Sequence, residues 1–292
     1  MGEAVLKKVK YVLPAEKIDM DGFPVKQALP THKIQQVDPF LLLHHATVKF
    51  NKNRAARHQG VGPHPHRGFS PVTFIIEGEV RHRDSWGHDQ IAKAGEVQWM
   101  NAGAGIVHSE RPSEEMVQAS ERQEIVQLWV NSPSYAKMQP PEYTYLSLDK
   151  MPILISEDEK IKTKLIAGNY KQQRGKVISK SELLVLWGNG QEGGFENYLI
   201  PQDFNCMLYL IKGSLNIKGY GLVEAEQLIV YGLSGDSIEI SLKQDSQFLI
   251  LSGKPLDEKV TQHGPYVMNT QTEVLEAMRD YKMGKMGILI ED

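Results

Sequence analysis

The chain has 292 residues, 41% of them hydrophobic and 24% charged, with a formal net charge of −3. That is length enough for two domains with cores of their own, in a composition typical of a globular, water-facing protein. A slightly acidic balance without a cluster of Lys and Arg excludes a nucleic-acid-binding surface, and no stretch approaches the roughly 18 apolar residues of a membrane span.

The first twenty residues carry Glu3, Lys7, Lys8, Lys10, Glu16 and Lys17 and no apolar run, so they hold neither a signal peptide nor a transit sequence. Lys7-Lys8-Val9-Lys10 is too short and interrupted for a targeting signal and reads as a solvated strand or its edge. His44 and His45 are adjacent; on a strand, one would line a pocket and the other would meet solvent. His58 lies in a polar loop, Arg54 to Gly60.

The next stretch carries the chemistry. Gly62-Pro63-His64-Pro65-His66 and Ile106-Val107-His108-Ser109-Glu110 each set two potential metal ligands one residue apart. Alternate residues of an extended chain face the same way, so His64 and His66 can converge on one point, and so can His108 and Glu110. Between them, Val72–Ile76 and Val97–Met100 read as strands. Turn-rich segments at Glu77-Gly78-Glu79, Asp84-Ser85-Trp86-Gly87 and Lys93-Ala94-Gly95-Glu96 separate them, so the chain can fold back and join its two ends.

Three imidazoles and one carboxylate suit a single divalent transition metal: Fe(II), Mn, Ni, Cu or Zn. His64, His66, His108 and Glu110 are therefore the expected metal ligands, with up to two open positions for substrate, water or dioxygen. His-X-His alone is common in strands that bind nothing, and it is the second pair that makes the assignment specific. Gly103-Ala104-Gly105 lacks the helix and the Gly-Lys-Ser pattern of a phosphate loop and reads as a tight turn delivering His108. His82 and His88 flank a turn and read as surface or hydrogen-bonding residues. The alternation in Arg122 to Val130 makes Gln123 and Gln127 weak candidates for lining a cavity.

Ser134–Met138 is a short helical candidate, and Pro140-Pro141 behind it is the best domain boundary in the chain. Residues 1–139 are then a metal-binding domain and 140–292 a second one. The second half repeats the strand and turn order of the first around residues 198–252, but its corresponding segment, Ile200 to Cys206, has no histidine, so a second metal site is not expected. Cys206, the single cysteine, sits in an apolar run, which suits core packing in a reducing cytoplasm. A helix is expected over about 270–283: Thr270 and Glu273 match a capping box, Val274, Leu275, Met278 and Tyr281 form an apolar stripe, and Gly284 offers a stop. Everything else reads as short strands, hence an all-β protein of sandwich or barrel type.

Several stretches together resemble the pirin family, two-domain members of the cupin superfamily. They are Asp38 to Leu43, Gly62 to Phe69, His82-Arg83-Asp84-Ser85, Val97 to Met100, Gly103 to Glu110, Gln127 to Asn131 and Gly264 to Thr270. They run in order through nearly the whole chain. The resemblance implies two cupin-type β-barrels (a bicupin, each barrel a double-stranded β-helix) and a short C-terminal helix. It implies a mononuclear iron or related metal in the first barrel on His64, His66, His108 and Glu110, and a metal-free second barrel. It also implies a C-terminal segment that returns toward the first domain. Where the family commonly has glutamate after the Gly-Phe pair, this chain has Ser70, a change that bears on the polarity around the site and not on the four ligands.

Some bacterial relatives oxidise the flavonol quercetin with dioxygen, whereas the human relative resembles an iron-responsive co-regulator. The expected activity is accordingly a quercetin 2,3-dioxygenase-like oxidation of a flavonol or related aromatic enol, with Glu110 as catalytic base. The alternative is a non-enzymatic metal or redox sensor that binds a protein partner. A weaker third reading is an isomerase or hydrolase using the metal as Lewis acid.

Overall fold

Alternation of apolar and polar residues in short runs, broken every few residues by Gly, Pro or Asp, gives a chain of antiparallel strands with little helix. The computed structural model describes residues 4–20 and 23–291. They divide into two units, one made of 4–17, 26–41 and 149–256, the other of 18–20, 23–25, 42–148 and 257–291. Each unit pairs a seven-stranded sheet with a four-stranded one.

The larger sheet that lies mostly in the unit centred on residues 42–148 runs Glu142–Leu146, Val97–Asn101, Phe69–Glu77, Arg122–Asn131, Phe40–Lys49, Phe23–Leu29 and Glu16–Met20. The smaller runs Val61–His66, Ile106–Arg111, Glu79–Asp84 and Asp89–Lys93. In the unit centred on 149–256, the central strands of the larger sheet are Asn205–Lys212, Ser246–Gly253 and Leu183–Gly190. Its interior holds a large apolar cluster, in which Leu208, Leu210, Leu215, Ile240, Phe248 and Ile250 are all fully or almost fully buried. Cys206 belongs to that cluster, and burial pushes its thiol up to about 12, as expected of a packing residue. The Val9–Pro14 strand lies at the edge of this sheet, as the Lys-rich start suggests. Lys7, however, is buried and donates to the Leu233 carbonyl at 2.9 Å.

The boundary expected at 139/140 is displaced. Pro140-Pro141 leads directly into Glu142–Leu146, which pairs with Val97–Asn101, so the chain leaves this unit only at Leu148. A double proline enforces extended backbone without donating hydrogen bonds, which suits entry into an edge strand as well as it suits a linker. The two ends of the described chain also exchange units: residues 4–17 belong with 149–256, and 257–291 with 42–148. The expected helix before the prolines is a single 3-10 turn, Ser134–Ala136. A helix not anticipated, Glu114–Gln118, is capped by Ser113, whose hydroxyl accepts from the Met116 amide.

The C-terminal helix spans Gln271–Lys282 and has the expected capping box, Thr270 with Glu273. Its buried face differs from the apolar stripe. Val274, Ala277 and Asp280 are buried, whereas Leu275 is 56% exposed. Ala277 packs with Val107, Tyr266 and Met286, and Asp280 accepts two hydrogen bonds from Arg67 at 3.1 Å. An ion pair and a small residue allowing close approach thus outweigh the bulkier apolar face.

Candidate metal centre

The cluster begins with strand register. Val61–His66 and Ile106–Arg111 pair antiparallel, with His108 opposite His64 and Ile106 opposite His66. Directly opposed residues share a face with their Cβ atoms about 5 Å apart, and the period of two brings His66 to the same face. The turn before His108 depends on glycine. Gly103 and Gly105 have φ of +48° and +128°, and a Cβ would lie 2.1 Å from the Gln139 carbonyl oxygen in the first case and 2.5 Å from Met286 in the second.

His64 and His66 meet edge to face, and His108 is tilted by 52° and 53° against them. Their centroids are separated by 4.7 Å for His64 and His66, 4.3 Å for His64 and His108, and 4.9 Å for His66 and His108. One nitrogen from each lies within 4.8 Å of the others. His64 donates from Nδ1 to the Gly62 carbonyl at 2.7 Å, which leaves its Nε2 a lone pair, 3.1 Å from His66 Nε2. Burial lowers the pKa of all three, and the neighbouring histidines lower His66 and His108 further, so the rings are neutral. Neutral imidazoles are the form that binds a metal. Two nitrogens at right angles on one ion, each about 2.0–2.1 Å away, stand about 3 Å apart, close to the separation of His64 and His66. Nε2 of His108 is buried and has no hydrogen-bond partner among the described residues. The donor set fits one divalent transition metal.

Glu110 is placed differently. The pairing slips between His108 and Glu110, so Glu110 stands opposite Val61, and on its other side opposite His82. Its carboxylate is not among the three converging nitrogens; Oε1 accepts from Thr73 at 2.9 Å and Oε2 from Gln127 at 2.9 Å. Gln127 is itself oriented by Trp129, whose Nε1 donates to its Oε1 at 3.2 Å. Phe69 and Trp129 lie edge-on to His66, with centroids at 5.0 and 5.4 Å, and form an aromatic wall. A cavity of about 10 Å³ reaches His108 and Glu110 between Thr73, Gln98, Met100 and Tyr143. That is room for roughly one water molecule.

Other sequence candidates fall into place around this cluster. His82 is not on the surface: it is 2% exposed, stacks on Tyr143 at 4.3 Å, and reaches Asp84 at 2.9 Å and His108 at 3.3 Å. Burial opposes the charge on Asp84, but hydrogen bonds from His82 and His88 outweigh it and hold the carboxyl below its ordinary range. His88 is the partly exposed member of the group, with Nδ1 2.8 Å from Asp84. His44 and His45 are both buried, neither meeting solvent, because their strand lies inside the sheet. Burial lowers His44 to about 4, and His45 pairs with Glu124 at 2.9 Å. Gln127 lines the site while Gln123 turns away and donates to the Glu79 carbonyl. Ser70 is buried, with its hydroxyl 3.5 Å from Asn101.

Thr73, Asp84 and Tyr143 escaped the sequence reading. Asp84 carried one usable signal, since it sits two residues beyond His82 and shares its face. Thr73 and Tyr143 carried none, because sheet pairing alone brings them here.

Comparison with known proteins agrees with this architecture. The Pirin family profile matches residues 22–130, and the Pirin C-terminal cupin domain profile matches 190–287. A Pseudomonas aeruginosa protein whose name carries a provisional quercetin 2,3-dioxygenase assignment is 36% identical over 267 residues, 91% of this chain and 92% of its own. Human Pirin is 33% identical over 288 residues, 96% of this chain and 94% of its own. The crystal structure of a quercetin 2,3-dioxygenase from Acinetobacter baumannii superposes with a TM-score of 0.89 at 34% identity, covering 98% of this chain and all of that one.

Proposed function

The chain belongs to the pirin family of bicupins, and from that premise we propose that it is a mononuclear-metal dioxygenase of the quercetin 2,3-dioxygenase type. Its substrate is a flavonol or related aromatic enol, with dioxygen as co-substrate and Fe(II) as the metal. The observation that carries this reading is the convergence of three neutral imidazoles beside a hydrogen-bonded carboxylate. The names of the similar proteins from P. aeruginosa and A. baumannii support the substrate class.

His64, His66 and His108 hold the metal, and Glu110 is the fourth candidate ligand. When bound, the metal supplies a Lewis acid that draws charge from a substrate oxygen. Glu110 is also the base that takes the proton of the substrate hydroxyl. Thr73 and Gln127 each occupy one site on its carboxylate, and each oxygen keeps a further lone pair. Phe69 and Trp129 keep water from one side of His66 and fix its ring.

One observation favours the second reading, a metal or redox sensor that binds a protein partner. The cavity at Glu110 holds about 10 Å³, so a flavonol enters only if side chains such as Met100 or Tyr143 move. The two readings separate in one experiment: anaerobic loading with Fe(II), then oxygen uptake on adding quercetin. Uptake matched to quercetin loss, and absent in His108→Ala, supports the dioxygenase. Stoichiometric iron with no uptake refutes it for this substrate class and leaves the sensor.

No helix among the described residues is long and apolar enough to cross a membrane.

A further inference from the structure

His108 is the only one of the three clustered histidines with a second histidine against its far nitrogen. Its Nδ1 lies 3.3 Å from Nδ1 of His82, and Nε2 of His82 lies 2.9 Å from Oδ2 of Asp84. His82 and Asp84 are 2% and 3% exposed, and Tyr143 covers the His82 ring at an interplanar angle of 14°. Asp84 is fixed in turn, because its Oδ1 accepts from the backbone amides of Trp86 at 2.9 Å and His88 at 3.1 Å.

These contacts allow one satisfactory distribution of protons. A carboxylate only accepts, so Nε2 of His82 carries hydrogen and donates to Asp84. Nδ1 of His82, with the ring's hydrogen on Nε2, is then an acceptor, so Nδ1 of His108 carries the hydrogen between the two rings. Nε2 of His108 is left with a lone pair, in the place where it faces no hydrogen-bond partner among the described residues. The reverse arrangement would set a lone pair of His82 against the Asp84 carboxylate. It would also bury an N–H of His108 without an acceptor, an arrangement that costs roughly 1–3 kcal/mol.

We infer that His82 and Asp84 are a positioning pair that fixes the hydrogen on Nδ1 of His108 and thereby makes Nε2 of that ring the metal-binding atom. The inference rests on the reading of His64, His66 and His108 as ligands. It extends the centre to Asp84, in the manner of outer carboxylates that orient a ligating imidazole. It also explains why a carboxylate is buried beside the cluster without joining it.

Asp84→Asn tests the point with little change of shape. The asparagine carbonyl can keep both backbone amides in the turn, while its NH₂ replaces Oδ2 and donates to Nε2 of His82. His82 must then carry hydrogen on Nδ1 and donate to His108, whose own hydrogen moves to Nε2. His82→Phe retains a ring over Tyr143 but removes the acceptor.

The full chain, labelled with ¹⁵N-histidine, is studied without metal by long-range ¹H–¹⁵N spectra, which distinguish the two imidazole tautomers, and then titrated with zinc(II) against a chelator. Wild type is expected to show His108 protonated at Nδ1 and to bind one zinc. Asp84→Asn is expected to move that hydrogen to Nε2, and both variants are expected to bind zinc about 10–100-fold more weakly with unchanged circular dichroism. Zinc affinity equal to wild type in both variants overturns the inference. So does weakened binding with the His108 tautomer of Asp84→Asn unchanged, which would mark a merely structural role. If wild type itself binds no zinc, the ligand assignment fails and the inference with it.

Discussion

The two units use the same pairing of a seven-stranded with a four-stranded sheet and differ in what they add to an apolar interior. Around 149–256 the inward positions carry Leu208, Leu210, Leu215, Ile217, Ile240 and Phe248, with Tyr198 and Thr163 satisfying each other's hydroxyls at 2.7 Å. Around 42–148 the inward positions near Val61–His66 and Ile106–Arg111 carry His64, His66, His82, Asp84, His108 and Glu110. Both units bury apolar side chains, Phe74, Ile75, Val126 and Leu128 among them in the second, but only there, among the described residues, does a polar cluster held by hydrogen bonds share the interior. Burying polar groups is tolerated only where they are paired or bind an ion, so the second filling is one that a bound ion would complete.

The largest effect expected from breaking this contrast is on metal content. His64→Ala and Glu110→Ala should each fall well below the one equivalent of metal expected of wild type, measured by elemental analysis after purification. Full occupancy in both variants would remove these residues from the site. The opposite perturbation, in the other unit, should leave the metal alone. Phe248→Ala empties a fully buried aromatic position and should destabilise the protein by about 3–5 kcal/mol in denaturant unfolding, with unchanged metal stoichiometry in the fraction that stays folded.

A smaller effect is expected at Lys137, which is 1% exposed and donates to the Gly68 carbonyl at 2.7 Å, Asn131 Oδ1 at 2.6 Å and the Val267 carbonyl at 2.9 Å. It ties the 257–292 segment to the histidine-bearing unit. Lys137→Met leaves those oxygens without their donor and should cost roughly 1–3 kcal/mol. Burial lowers the Lys137 pKa from its ordinary value of 10.5 to about 8. The unfolded chain therefore binds more protons between these two values, and the Lys137 contribution to stability rises as pH goes from about 8 to 10.5. The wild-type minus variant difference in unfolding free energy should grow across that window. A flat difference would show that Lys137 titrates alike in both states.

Much of the fold was readable because strands and ligand pairs are local patterns. His64 with His66, and His108 with Glu110, need only the period of two to share a face, and Thr270 with Glu273 needs only one helical turn. The strand repeat and the histidine-free segment at Ile200 to Cys206 distinguished the two halves in the same way. Partners far apart along the chain were not readable. The sequence assigns His82 to a turn flank, yet cross-strand register sets it against His108. Pro140-Pro141 reads as a linker, yet it leads into an edge strand that delivers Tyr143 to the site.

By itself the sequence determined strand periodicity, the helix cap and the spacing of the ligand pairs, because these depend on backbone geometry over a few residues. Only the tertiary structure decided which unit each terminus joins, which face of the Gln271–Lys282 helix is buried, and which groups stand behind His108. Those outcomes follow from register and packing between segments more than 200 residues apart, 213 for Arg67 and Asp280 and 226 for Lys7 and Leu233. Local propensity carries no information about contacts at that distance.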